Sequence, residues 1–140
     1  MSRTHELAWA AGFFDGEGYV TIQERIHPKY TGYYLRVGIN HVAIQPLIEI
    51  QKLFGGKIEK QSLHTIVGNR KQRHRWSLST SAAAEMLQQL LPYLKNKQKV
   101  VALGLDFQKT IGANGKQVSD EVQFQRKMLK ELIQYTNSLD

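Results

Sequence analysis

Leu7-Ala8-Trp9-Ala10-Ala11-Gly12-Phe13-Phe14 is apolar at nearly every position. A helix built from it has no polar face and has to be buried. Thr4 stands where an N-cap is needed and Glu6 falls in the first turn, where an acid complements the helix dipole. The run ends at Asp15-Gly16-Glu17-Gly18, whose glycines open backbone conformations closed to residues with a Cβ. From Tyr19 the period becomes two. Tyr19, Thr21, Gln23 and Arg25 alternate with Val20, Ile22, Glu24 and Ile26, and after a loop at His27-Pro28-Lys29-Tyr30-Thr31-Gly32, Tyr34, Arg36, Gly38 and Asn40 alternate with Leu35, Val37 and Ile39. This predicts a hairpin with one apolar and one hydrogen-bonding face.

Pro46, then Leu47, Ile50, Leu53 and Phe54 before Gly55-Gly56, predict a helix near 45–54. A second hairpin follows, from Lys57 to Leu63 and from Lys71 to Ser79 around a loop at Val67-Gly68-Asn69, with Trp76 and Leu78 inward. Ser81 is placed to cap a helix through Met86, Leu87 and Leu90. The stretch from Leu94 to about Thr110 reads as a further helix, Ile111-Gly112-Ala113-Asn114-Gly115 as a break, and Ser119 as the cap of a last helix carrying Val122, Met128, Leu129, Leu132 and Ile133. Helix, hairpin, helix, hairpin and helices make an α+β pattern, in which helices cover one face of a sheet and leave the other free. We expect one domain over residues 1–140, with a core of about 4–110 and a helical tail of about 111–140.

Charge adds a partner to this picture. The net charge is +7, and the excess is local: residues 18–81 hold ten Lys or Arg against three acids, and the rest of the chain nine against nine. A concentrated cationic surface attracts polyanions and favours nucleic acid. The chain has no cysteine, so neither disulfides nor thiolate metal sites are available, which fits an intracellular setting. No apolar run reaches the roughly 20 residues of a membrane span and no signal-peptide pattern opens the sequence, so we expect a soluble protein with no membrane partner.

Ala10-Ala11-Gly12-Phe13-Phe14-Asp15-Gly16-Glu17-Gly18 resembles the LAGLIDADG motif type for type: small, small, Gly, two apolar, acid, small, acid, Gly. The order αββαββα, the helix ending Leu53-Phe54-Gly55-Gly56, and Leu91-Pro92-Tyr93-Leu94-Lys95-Asn96-Lys97-Gln98-Lys99 extend the resemblance to residues from about 7 to about 105. It is to the single-motif, homodimeric type of LAGLIDADG homing endonuclease. It implies a saddle-shaped antiparallel sheet with C-terminal helices, and hydrolysis of phosphodiesters in both strands of a long pseudo-palindromic DNA site.

Several residues gain roles from that resemblance. Glu17 is implied as metal ligand, with the Gly16 carbonyl as a second protein oxygen. The metal would be Mg²⁺ or Mn²⁺, while Ca²⁺ would bind without supporting cleavage; one or two carboxylates plus phosphate and water oxygens suit Mg²⁺. Lys97, flanked by Lys95 and Lys99, is similar to the family's active-site lysine. His41, with Asn40 as the neighbouring alternative, stands where the family orders the attacking water. Close packing of two motif helices requires small residues, which Ala8, Ala11 and Gly12 supply, and Asp15 would cap the helix pair. Base reading falls to the polar sheet face, namely Tyr19, Thr21, Gln23, Arg25, Tyr34, Arg36, Asn40, Glu59, Gln61, Arg73, Arg75 and Ser77, because a two-stranded ribbon fits the major groove. The same fold also accommodates a cleavage-inactive DNA-binding regulator or a maturase gripping intron RNA. A basic interaction module, with Trp9, Phe13 and Phe14 serving only as core, is the reading from outside the family.

Overall fold

The two hairpins meet in one antiparallel sheet of four strands. The computed structural model describes residues 2–61, 72–111 and 119–139. In it α1 (Arg3–Glu17) leads into β1 (Gly18–His27) and β2 (Tyr30–His41), and α2 (Gln45–Phe54) leads into β3 (Lys57–Lys60). After β4 (His74–Ser79) come α3 (Thr80–Leu90), a short 3₁₀ turn at Leu91–Tyr93, α4 (Gln98–Lys109) and α5 (Asp120–Ser138). The strand order is β1-β2-β4-β3, which confirms the α+β class.

Alternation sorts the strands as the sequence predicts. Val20, Ile22, Leu35, Val37, Ile39 and Trp76 are buried in one core with Ala10, Ala11 and Phe14 of α1, Met86, Leu87 and Leu90 of α3, and Val100, Val101 and Phe107 of α4. Burying each large apolar side chain stabilises by about 1.5–3 kcal/mol, so the sheet is held as a rigid plate with its other face uncovered. Trp76 also donates from Nε1 to the Gly55 carbonyl at 2.9 Å. Gly55 and Gly56 turn the chain there at φ 81° and 100°, and a Cβ on Gly56 would lie 2.5 Å from Trp76 Nε1. Both the conformation and the space therefore require glycine at position 56.

Local expectations shift in five places. Ser2 caps α1 in place of Thr4, accepting from the His5 N–H at 3.2 Å, and Ser79 holds the N-cap position of α3 in place of Ser81. The first hairpin turns on Pro28 and Lys29 alone, because His27 and Tyr30 already pair and their rings stack at 4.6 Å. The helix expected from Leu94 starts only at Gln98. Of the expected α5 stripe Ile133 is buried and Leu129 packs on the core, but Met128 and Leu132 are exposed, because polar groups share the inward side: Gln123 donates to the Thr31 carbonyl, Asn137 to the Val20 carbonyl, and Lys130 pairs with Glu24. The loop at 67–69, the start of the fourth strand at Lys71 and the break at 112–115 lie outside the described residues.

Candidate functional site

The uncovered sheet face collects the predicted reading residues. Tyr19, Thr21, Gln23 and Arg25 of β1 stand opposite Gly38, Arg36, Tyr34 and Gly32 of β2. Asn40 is level with Arg75, and Arg75 with Glu59. Gln61 and Arg73 extend the β3–β4 ladder through a backbone bond of 3.0 Å. All twelve predicted positions thus share one face. Lys57 and Ser79 lie on it as well; the alternation that placed Glu59 and Ser77 would have found them. Five cations (Arg25, Arg36, Lys57, Arg73, Arg75) stand there against Glu59, which pairs with Lys57 at 3.7 Å.

Several of these side chains are held in place before any ligand arrives. The Arg25 guanidinium sits over the Tyr34 ring, 4.9 Å from its centroid. Arg75 Nε donates to Asn40 Oδ1 at 3.3 Å, and Gln23 to Thr21 Oγ1 at 3.1 Å. Tyr19 lies across Gly38, where any Cβ would fall inside contact with the phenol. Arg36 Nε is buried without an acceptor among the described residues. Fixed donors lose less entropy on binding than mobile ones.

The C-terminal end of α1 meets the rim of this face. Gly16 is helical, and Gly18 is extended at φ −83°, so conformational freedom does not explain these glycines. At Gly18 the cause is steric, because a Cβ would collide with the Phe14 ring. Glu17 is exposed and has no hydrogen-bond or ion-pair partner among the described residues. Continuing the pairing of Gly18 with Ile39 by one step puts Asn40 level with Glu17. His41 points to the other side of β2: its Nδ1 accepts the Ala43 N–H at 2.9 Å, and its ring meets Phe13 edge-on at 5.7 Å. Phe13 and Glu17 are one turn apart on α1, so His41 and Glu17 lie along the same side of that helix.

Asp15 and Lys97 are joined directly. The Lys97 ammonium donates to the Asp15 main-chain carbonyl at 2.8 Å, and the Asp15 carboxylate accepts backbone N–H groups of the 95–97 turn. Asn96 belongs to this cluster as well, through its side chain on the same carbonyl at 3.4 Å; only the long-range contact reveals it.

Of the predicted interface residues, Ala8 and Gly12 are exposed, whereas Ala11 is wholly buried in the chain's own core. Gly12 and Gly16 face open space. The small residues on the outer side of α1 are therefore Ala8, Gly12 and Gly16, at four-residue spacing.

Two acids at the negative end of a helix are electrostatically unfavourable. Asp15 is compensated by backbone donors, whereas among the described residues Glu17 has none, and its carboxylate offers hard oxygen. The Phe14 carbonyl accepts from Gly18 and the Asp15 carbonyl from Lys97, leaving Gly16 without an intrahelical partner. One carboxylate and one carbonyl fit a hard divalent cation that keeps waters and phosphate oxygens. Among the described residues no three His, Asp or Glu side chains converge.

Known proteins place this arrangement in a family. The family described as LAGLIDADG endonuclease matches residues 10–114. The fold is that of the homing endonuclease I-CvuI, seen with the I-CreI target and magnesium with the DNA not cleaved; the TM-score is 0.78 at 22% identity, over 94% of this chain and 82% of that one. It is also that of the archaeal intron-encoded homing endonuclease I-Vdi141I complexed with DNA, with TM-score 0.79 and 10% identity over 96% and 85%. The LAGLIDADG homing endonuclease I-GzeII, in complex with its DNA target, matches with TM-score 0.71 and 15% identity over 89% of this chain but 43% of its own. No curated protein matches significantly. The match begins midway along α1 and runs past the end of α4, and the chain belongs to the LAGLIDADG endonuclease family.

Proposed function

We propose that two copies of the chain form a metal-dependent endonuclease that cuts both strands of a long, roughly palindromic site in double-stranded DNA. The observation that carries this reading is the position of Glu17. It is a carboxylate without a partner among the described residues, held at the rim of a cationic sheet face by a helix that is anchored in the core through Ala10, Ala11 and Phe14 and whose outer side shows Ala8, Gly12 and Gly16. Packing that side against its symmetry copy brings two Glu17 residues together, one for each strand. The length comparison supports a pair, since the chain matches less than half of DNA-bound I-GzeII.

Glu17 and the Gly16 carbonyl would hold a divalent cation, which would supply Lewis-acid stabilisation of the phosphodiester and a more acidic water. The chain's own groups do the rest. Lys97 places positive charge where negative charge grows on the phosphate. His41 accepts the Ala43 N–H at Nδ1, so the neutral ring carries its proton on Nε2 and orients a water by donating to it. The sheet face reads base edges, with Arg25, Arg75, Gln23 and Asn40 as its fixed donors.

The test is cleavage of a plasmid library of randomised pseudo-palindromic sites. Discrete cutting is expected with Mg²⁺ or Mn²⁺, and none with Ca²⁺ or EDTA. Glu17→Gln keeps the carboxylate's shape without its charge, and should bind DNA while cleaving at below about a tenth of the wild-type rate. Faster cleavage by that variant removes Glu17 from the site.

A further inference from the structure

The other acid of this helix end, Asp15, reaches the 95–97 turn that opens α4. That turn is where the expected continuous helix fails. Lys97 occupies the N-cap position of α4 and gives it no side-chain acceptor, although the first N–H groups of a helix need one. Asp15 meets only the first of these, the N–H of Lys97 at the N-cap, with Oδ1 at 3.0 Å, and it fixes the turn ahead of the helix by accepting from Asn96 N on Oδ1 at 3.2 Å and from Lys95 N on Oδ2 at 2.6 Å. A carboxylate offers about four acceptor sites, so three backbone donors leave little for a metal. The return contact is the Lys97 ammonium on the Asp15 carbonyl. Both ends of Lys97, backbone and head group, are thereby referenced to the helical turn that carries Glu17.

We propose that Asp15 is a positioning residue for Lys97, fixing it relative to Glu17, and that it neither binds the metal nor packs against the second copy. The proposal rests on Lys97 acting in cleavage, as above. Its geometric part stands without that reading. Asp15→Asn keeps one acceptor oxygen and Asp15→Ala none. The two should therefore lower cleavage in that order, with DNA affinity, dimerisation and half-saturating Mg²⁺ unchanged.

Amide hydrogen exchange in the intact protein tests the contact itself. Residues 95–97 should exchange faster in Asp15→Ala than in wild type, while the strands stay protected. Unchanged exchange there overturns the proposal whether or not the protein cuts DNA. The route through Lys97 is read from single-turnover cleavage, where slow reaction over hours still counts. Asp15→Ala should cost roughly tenfold or more in the wild-type background and under about twofold in Lys97→Gln. Equal losses in both backgrounds, or a raised Mg²⁺ requirement in Asp15→Asn, would show that Asp15 acts on its own and overturn the assignment. Absence of any metal-dependent cleavage by the wild-type chain would instead overturn the endonuclease reading, leaving the exchange result to decide the Asp15 contact.

Discussion

Gly12→Leu separates the fold of one chain from the association of two. A Cβ at Gly12 meets nothing within 4 Å in the single chain, and leucine is a better helix former than glycine by roughly 0.8–1 kcal/mol. The isolated chain should therefore be unharmed or slightly stabilised. In a two-fold pair built on Ala8, Gly12 and Gly16 the same side chain enters the closest approach of two helices twice. Overpacking costs about 1–3 kcal/mol per site, so the pair loses about 2–6 kcal/mol, or roughly 30-fold to 10⁴-fold in dimer affinity. Ala11→Leu is the contrasting control, because Ala11 is fully buried in the chain's own core and its enlargement should lower the stability of the chain itself. Sedimentation velocity over a concentration series gives the association, and urea unfolding of dilute protein gives the fold. A Gly12→Leu chain that dimerises like wild type would show that this side of α1 is not the interface.

Reading and gripping should respond differently on the sheet. Arg75→Ala, which also frees Asn40 Oδ1, should cost about 1–3 kcal/mol at one position of each half-site and relax base preference there; an equal loss across a panel of single-base variants would contradict the face assignment. Lys29→Ala, at the exposed tip of the first hairpin, should weaken all sequences alike and flatten the salt dependence by about one unit of slope per copy. No change at either position would remove the sheet from the DNA surface.

Alternation made the sheet legible. A side-chain period of two admits two faces, and the buried set Val20, Ile22, Leu35, Val37 and Ile39 decides which one is inside. The end of α1 was legible as residue types but not as a geometry. Lys95, Asn96 and Lys97 continue a helical pattern locally, and only a carboxylate some eighty positions away holds them as a turn ahead of α4. Helix caps were misplaced by two residues where serine and threonine crowd together, at Ser2 against Thr4 and Ser79 against Ser81. At α5 the apolar stripe was right only in part: Ile133 is buried and Leu129 packs on the core, while Met128 and Leu132 are exposed. Gln123, Arg126, Lys130 and Asn137 face inward because each finds a specific partner, Arg126 among them bonding Thr110 at 3.0 and 2.6 Å, and periodicity carries no record of such pairs.

The two acids at the C-terminal end of α1, Asp15 and Glu17, also put negative charge at the rim of a cationic sheet face. Asp15 lies between the negative end of α1 and the positive end of α4, so its charge is stabilised within the chain. Among the described residues Glu17 shares the same unfavourable helix end without that relief, and on the proposed reading it would oppose a DNA backbone drawn to the cationic sheet face until a cation stands between them. A sign follows for binding without metal. In EDTA, Glu17→Gln should bind its DNA site more tightly than wild type, by roughly threefold to tenfold, the scale of one or two exposed charge pairs. With Ca²⁺ the order should narrow or reverse, because only the carboxylate retains the ion. Fluorescence anisotropy of labelled DNA at one fixed ionic strength measures both. If the variant binds equally well or worse in EDTA, Glu17 does not face the phosphate path, and the site at the end of α1 has been drawn in the wrong place.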